Sequence, residues 1–272
     1  MTEPADIGPL LREWRRRRRR SQLDLATAVP VSQRHLSTLE RGLARPSRGM
    51  VLRLAEALDL PPGARNALLV AAGFAPDRPA RPLGDPSLAP VRAAVAALLA
   101  AQEPWPAVSL DAHWTLLDAN RAVAPLLAGV APALLAPPVN VVRLSLHPEG
   151  LARRIVNVRE WRSHILHRLA VEAERTADAV VDALRAEVAA YPLPAGARPW
   201  RPPSASAAEI ATPLVIETPI GRLSLLSATT VFGTARDVTV AGLMVESFFP
   251  ADAETAATLR RAFPATDGAA PA

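Results

Sequence analysis

The sequence predicts a multidomain protein in which an all-α bundle of five short helices precedes an α+β domain built on an antiparallel sheet. Three observations carry that expectation. The first 75 residues hold five short stretches of helical periodicity, each bounded by capping or breaking residues. Five prolines and Gly84 then interrupt every periodicity between Pro76 and Pro90. Beyond that segment, strand-like runs come first, helices follow, and strands return, an order that favours an antiparallel sheet over a parallel one.

Leu10, Leu11 and Trp14 give the first helix its apolar stripe before it runs into Arg15 to Arg20. Ser21 caps a second helix whose Leu25, Ala26 and Val29 face inward, and Ser32 caps a third carrying Leu36 and Leu39. Gly42 is placed to end that third helix as a left-handed C′ residue. Ser47 caps a fourth helix (Val51, Leu52, Leu54, Ala55, Leu58), and Pro61-Pro62 opens a fifth that stops at Gly73. In the second region a helix is expected over 91–102. Two strands, 107–110 and 114–119, are joined by a turn at Asp111-Ala112-His113. Helices over 158–174 and 176–190, a Pro-rich loop over 192–203, and strands over 211–217, 222–230 and 237–247 complete the pattern. The expected boundaries are a helical domain over 1–75, a linker over 76–90, the α+β domain over 91–263 and a disordered tail over 264–272.

Charge divides the same way. The 272 residues carry a formal net charge of +5, but residues 1–82 hold 15 Arg against 8 Asp and Glu, whereas the remainder holds 16 Arg against 18. A basic first third is the footprint of a polyanion binder, and the near-neutral remainder reads as a packed domain. Lysine is absent and Ala and Pro are abundant, as a GC-rich coding sequence would produce; such a bias acts on the whole chain and leaves the local Arg excess unexplained. Cysteine is absent too, which excludes disulfides, thiolate metal sites and a thiol nucleophile. The N-terminus has no charged-then-apolar signal segment, and the longest uncharged run, Ala122 to Val142, contains four prolines and a glycine. A cytoplasmic protein without a membrane partner is expected.

Two capped helices separated by a turn around Val29 to Val31 are what a helix-turn-helix needs, because the first braces the second against a duplex. Leu36 and Leu39 turn one face of the second helix to the core, so Gln33, Arg34, Ser37 and Thr38 share the opposite face. Gln reads adenine edges, Arg reads guanine, and Ser or Thr accepts either. Gln22 at the start of its helix, with Arg41, Arg45 and Arg48 near the following turn, is placed to hold phosphates on either side. The partner expected from this pattern is a double-stranded DNA operator.

The run from Ser21-Gln22 through Leu39-Glu40-Arg41-Gly42 to Arg45-Pro46 resembles phage-repressor-like (XRE-type) helix-turn-helix domains, and more closely the MmyB-like regulators of actinobacteria. The resemblance implies that Gln33, Arg34 and Thr38 reach bases, that Gln22 contacts phosphate, and that Arg15 and Glu40 form a buried ion pair. Two positions depart from the family. Pro30 stands where its turn usually has Gly, and Pro cannot adopt a positive φ, so the turn must take another geometry. Arg20 occupies a usually apolar site, which lengthens the Arg run and is expected to loosen the end of the first helix.

The resemblance continues through Trp114 to Asn120, Pro137 to Pro148, Arg159 to Arg162, Thr230 to Thr234 and Glu246 to Pro250. These runs are similar to the MmyB-like ligand-binding domain. They imply a fold related to PAS sensor domains and a pocket for a small apolar, fatty-acid-like ligand. Read physically, a sheet packed by helices can leave an apolar cavity, with Leu116, Val141, Leu144, Leu146, Trp161, Ile165 and Leu225 as candidate lining. Anchoring a carboxylate there needs a desolvated donor, and Asn140, Arg143 and His147 lie along one segment able to supply it. Each has a bland alternative: His147 capping a turn, Asn140 satisfying loop backbone, Arg143 pairing with an acid such as Asp237 or Glu246.

Enzyme readings find less support. Glu160, His164 and His167 share a helix face without a further metal ligand in view, and Ser145 near His147 lacks a nucleophile-elbow pattern. No Gly-rich phosphate loop is present, so no cofactor, no metal and no catalytic residue is expected. The leading expectation is a ligand-responsive, homodimeric DNA-binding regulator. A constitutive regulator whose second domain only dimerises it, and an enzyme fused to a DNA-targeting module, remain alternatives.

Overall fold

The computed structural model describes residues 6–200 and 211–264. The expected tail therefore lies outside the described residues from 265 onward, as does the end of the Pro-rich loop from 201. The chain divides into two units, one running to Arg81 and including Glu172–Ala177 and Ala235–Val238, the other holding the rest.

The first unit contains α1 (Ile7–Arg17), α2 (Gln22–Ala28), α3 (Gln33–Glu40), α4 (Arg48–Ala57) and α5 (Pro62–Ala71). Asp6, Ser21, Ser32 and Ser47 each accept a backbone N–H of the first turn, and Ser21 with Asp24 forms a reciprocal capping box. Helix ends are closed as carefully as helix starts. In α1 the Arg20 N–H reaches the Arg15 carbonyl (3.0 Å) and the Arg19 N–H reaches that of Arg16 (2.8 Å), with Arg19 left-handed at φ 52°. That is a Schellman closure, so Arg20 does not loosen the helix end as expected: its backbone completes the cap. Gly42 (φ 71°) and Gly73 (φ 82°) take the left-handed positions after α3 and α5, as their placement in the sequence predicts.

Leu11, Leu25, Leu36, Leu39, Leu54, Leu58, Leu68 and Leu69 are fully enclosed and make one core with Trp14. Each such leucine contributes roughly 1.5–3 kcal/mol relative to an exposed one. Helix α1 approaches α3 so closely that a Cβ on Gly8 would stand 2.8 Å from the Leu39 carbonyl oxygen. Between α2 and α3 the Val31 N–H bonds the Val29 carbonyl at 2.7 Å. This three-residue turn is centred on Pro30 and uses the negative φ that proline supplies, which resolves the conflict posed by the missing glycine.

The second unit begins with α6 (Ala89–Ala101), β1 (Ala107–Leu110) and β2 (Leu116–Ala119), followed by short helices α7 (Ala124–Leu127), α8 (Pro132–Leu135) and α9 (Val141–Leu146). Then come α10 (Val158–Thr176), α11 (Ala179–Ala189), β3 (Leu214–Thr218), β4 (Gly221–Val231), α12 (Val238–Ala241), β5 (Met244–Pro250) and α13 (Ala253–Ala262). The five strands form one antiparallel sheet in the order β2-β1-β5-β4-β3. Val108 on β1 and Thr229 on β4 both pair with Glu246 on β5, so the chain's C-terminal strand occupies the middle. Asn120, buried, ties the start of the sheet to α6 by donating to the Leu99 and Trp105 carbonyls and accepting from the Ala107 N–H.

Three expected boundaries move. Asp111 accepts the N–H groups of His113 and Thr115 (both 2.8 Å) in a tight turn that sets Trp114 at φ 65°, so β2 starts at Leu116 and not at Trp114. The segment expected as a strand from Asp237 begins instead with α12, because Asp237 is buried against the Arg81 guanidinium (3.2 Å). There the β-branched run 238–240 yields to its surroundings, and Gly242 intervenes before β5. The end of the Pro-rich segment is regular: the Asp85 side chain caps a 3₁₀ turn (Pro86–Leu88), and Pro90 sits in the first turn of α6.

Candidate DNA-reading face and ligand cavity

Helix α3 buries Leu36, Leu39 and Glu40 and leaves Gln33 and Arg34 exposed, with Ser37 and Thr38 half-buried beside them. The structure thus brings the four proposed base-reading residues onto one outward face. Thr38 donates its hydroxyl to the Arg34 carbonyl (2.8 Å), which orients the oxygen while leaving it able to accept. Arg41 is exposed and donates Nε–H to the Ser37 carbonyl at 3.2 Å, and Arg45 is exposed on the following turn.

The helix is braced from below by an ion pair. Arg15 donates Nε–H to Glu40 Oε1 (2.6 Å) and Nη2–H to Oε2 (2.9 Å), and the Glu40 side chain is wholly enclosed. Burial pushes the Glu40 carboxyl upward, but hydrogen bonds from Arg15 and Gln22 and the charges of Arg15 and Arg12 outweigh it and hold the group below the ordinary carboxylate range. Gln22 is drawn into this network, donating Nε2–H to Glu40 Oε2 at 2.8 Å. A carboxylate only accepts, so the amide nitrogen must face it.

Arg48 donates to the Ala75 carbonyl (3.0 Å) and to Asp77 (3.2 Å), which ties it to the segment after α5. The Arg15 to Arg20 run also divides. Arg15 holds Glu40, Arg18 donates to the Leu58 and Asp59 carbonyls while lying over the Trp14 ring, and Arg16, Arg19 and Arg20 stay exposed.

In the second unit a cavity of about 90 Å³ lies between the sheet and helices α9 and α10. Val108, Leu110, Glu246 and Phe248 supply its sheet wall, since alternate residues of a strand share a face. Val141, Leu144, Trp161 and Ile165 line it from the helices, as the sequence predicts; Leu116, Leu146 and Leu225 do not. Its charged wall is one closed pair. Arg168 on α10 donates Nη1–H to Glu246 Oε1 (2.6 Å) and Nη2–H to Oε2 (2.9 Å), while Thr229 donates its hydroxyl to Oε2 (2.9 Å). The guanidinium lies 4.7 Å from the Trp114 ring centre. Burial raises the Glu246 carboxyl, but Arg168, Thr229 and Ser227 outweigh it and keep the group ionised below the usual range. Trp161 donates its indole N–H to Ser145 (2.9 Å), whereas Trp114 Nε1 is enclosed with no partner.

Of the polar residues expected in the cavity, none lines it. Asn140 caps α9, accepting from Val142 and Arg143 N–H groups and donating to the His113 carbonyl. Arg143 is exposed and forms a two-pronged bond with Glu187 (2.8 and 2.7 Å), so its acid is neither Asp237 nor Glu246. His147 ends α9, accepts the Glu149 N–H and meets the Tyr191 ring edge-on. Helix α9 turns Val141, Leu144 and Ser145 to the cavity and Arg143 away from it, while Asn140 and His147 stand at its two ends. Residues missed by the sequence reading are Arg168 and Trp114. Arg168 was legible, since it follows Trp161 and Ile165 at helical spacing on the same face. The nearby His164 stacks on Trp161, and Glu160 accepts from Asn157; no group of three His, Asp or Glu among the described residues could hold a metal ion.

A five-helix unit with a capped, Gln-Arg-faced third helix and an α+β unit holding a cavity have the organisation of a helix-turn-helix protein with a ligand-binding domain. Residues 91–262 match the model of the MmyB-like transcription regulator ligand-binding domain, and residues 6–68 match a helix-turn-helix domain model. The chain belongs to the MmyB-like transcription regulators. Over 65 residues it is 45% identical to proteins of Mycobacterium bovis and Mycobacterium tuberculosis, each described as an uncharacterized HTH-type transcriptional regulator. That match covers 24% of this chain, and the chain spans about a quarter (25%) of the length of those curated relatives.

Proposed function

We propose that this regulator reads an operator with Gln33, Arg34, Ser37 and Thr38, grips phosphates with Gln22, Arg41 and Arg45, and works in the cytoplasm as a homodimer. The observation that carries the reading is the outward Gln33-Arg34 face of a capped helix whose far side is held by the Arg15–Glu40 pair. Among the described residues no helix is long and apolar enough to cross a membrane. In the second unit a small apolar, acyl-like ligand occupies the cavity, and its binding shifts operator affinity. The strand order supports kinship with PAS-type sensors, and Leu144 and Trp161 contact the ligand. An engineered apolar cavity of about 150 Å³ takes benzene, so a cavity of about 90 Å³ must widen to admit a longer chain.

The test begins by selecting an operator from a randomised duplex pool with the purified chain. Operator affinity is then measured with and without an eight-carbon alcohol, and affinity for the alcohol with and without operator. Linkage requires the two factors to be equal. A measurable factor that agrees both ways supports a ligand-responsive regulator; tight DNA binding with a factor of one leaves a constitutive one.

A further inference from the structure

We infer that two copies of the chain join along β4, edge to edge, with Ser227, Thr229 and Val231 of each hydrogen-bonded antiparallel to the same segment of the other. This rests on the homodimer reading proposed above. Strand β4 pairs with β5 over Leu225–Val231 but with β3 only over Gly221–Leu225, so Leu226–Val231 overhangs the end of β3. On β3 the Val215 carbonyl accepts the Val156 N–H (2.8 Å), and the Glu217 N–H bonds the Arg154 carbonyl (3.0 Å), which turns both residues away from β4. Leu214, Ile216 and Thr218 therefore face β4, and their partners Leu225, Leu223 and Gly221 face β3. Alternation carries the same direction on to Ser227, Thr229 and Val231, whose N–H and C=O groups point past the end of β3. Among the described residues nothing bonds these groups, whereas Leu226, Ala228 and Thr230 turn theirs to β5.

Ala228, Thr229, Thr230 and Val231 are exposed, Val231 by 61%. An open edge is a template for another strand, and proteins guard such edges with charge, proline or a bulge. Leu226–Val231 has none of these: it is uncharged, free of proline and in unbroken register with β5. A two-fold dimer must bury a surface that complements itself, and a strand edge paired antiparallel with its own copy does so. About an axis at Thr229, the N–H and C=O of Thr229 meet those of the other Thr229, and Ser227 of each copy meets Val231 of the other. No charge faces a like charge along the segment, so the second copy fits without any further matching.

The chain has no cysteine, so a cysteine introduced alone reports only its own contacts. In this register Ala228 of one copy stands opposite Thr230 of the other as a non-hydrogen-bonded pair, with Cα atoms about 4.5 Å apart and within disulfide reach. Full-length Ala228→Cys and Thr230→Cys proteins, mixed and oxidised, should yield chiefly the mixed disulfide-linked dimer. Val231→Pro removes an outward N–H and no bond to β5, and should raise the dimer dissociation constant at least tenfold in sedimentation equilibrium. Val231→Arg keeps every backbone donor but sets a cation on the edge, and should do the same if the proline variant fails to fold. A natural protein that dimerises, gives no mixed disulfide and tolerates these substitutions within about twofold overturns the inference and leaves the homodimer reading standing. A natural protein that stays monomeric both alone and on its selected operator overturns the two together.

Discussion

Arg15 on α1 and Glu40 at the end of α3 meet in a two-pronged bond, 2.6 and 2.9 Å, although 25 residues separate them in the chain. Breaking a buried pair by removing one partner costs about 3–5 kcal/mol, because the other charge stays buried. Arg15→Ala is therefore expected to lower the stability of the first unit by that order, read by urea titration followed by circular dichroism. A loss under about 1 kcal/mol would show that α3 is held by its leucines alone.

The same pair sets a pH dependence. Glu40 lies below its unfolded value of about 4.3, so its contribution is complete above that pH and is lost as the pH falls through the lower, folded value. The first unit should begin to lose stability below about pH 4.3. Glu40→Gln, though less stable at neutral pH, should show a shallower decline over that acid range. Parallel acid curves for the two proteins would contradict the assignment.

Two glycines in helices make opposite predictions. A Cβ on Gly49 meets nothing nearer than an Arg53 nitrogen at 3.5 Å, so Gly49→Ala should stabilise by about 0.5–1 kcal/mol through helix propensity. A Cβ on Gly8 would lie 2.8 and 2.9 Å from the Leu39 and Glu40 carbonyl oxygens. Gly8→Ala must push α1 from α3 and should cost about 1–3 kcal/mol. Thermal melts of the two variants should move in opposite directions.

On DNA, Arg34→Ala should relax preference at one operator position and cost about 1–3 kcal/mol on the selected sequence. Arg45→Ala should weaken binding to all sequences alike and reduce the slope of log affinity against log salt by about 0.9. An Arg34→Ala protein that selects the same motif from a random pool would move the reading face elsewhere.

For the cavity, Arg143→Ala should leave octan-1-ol affinity within a factor of about two, since the side chain points to Glu187. Leu144→Trp fills the space and should abolish binding while the fold persists. If Arg143→Ala weakened the alcohol tenfold, the cavity described here would not be the binding site.

The helical first unit was legible almost residue by residue, because serine caps, leucine spacing and Gly42 and Gly73 are local signals with local effects. The sheet was legible in its strands but less so at their edges. Trp114 and Val238 carry strand-forming chemistry, and only the Asp111 turn and the burial of Asp237 show why neither begins a strand. That Gln33, Arg34, Ser37 and Thr38 share the side of α3 away from its buried leucines followed from periodicity. The cavity followed only in its apolar half, since a donor's direction depends on which way a short helix rolls: α9 rolls Leu144 inward and Arg143 outward. The Arg168–Glu246 pair joins elements 78 residues apart, a distance at which sequence spacing carries no information about partners.

The turn centred on Pro30 has a consequence for how the protein and its operator share the work of fitting. A glycine there would let α2 and α3 explore several mutual angles and settle on one at the duplex; proline withdraws that latitude before the encounter, in the unfolded chain as well as the folded one. On the operator reading proposed above, the two helices arrive with less freedom to readjust, and more of any mismatch in groove width or phosphate spacing falls to the DNA. Base pairs that no side chain touches then acquire a say in affinity through their stiffness, and operators with pliable steps at such positions should outcompete stiff ones of identical contacted sequence.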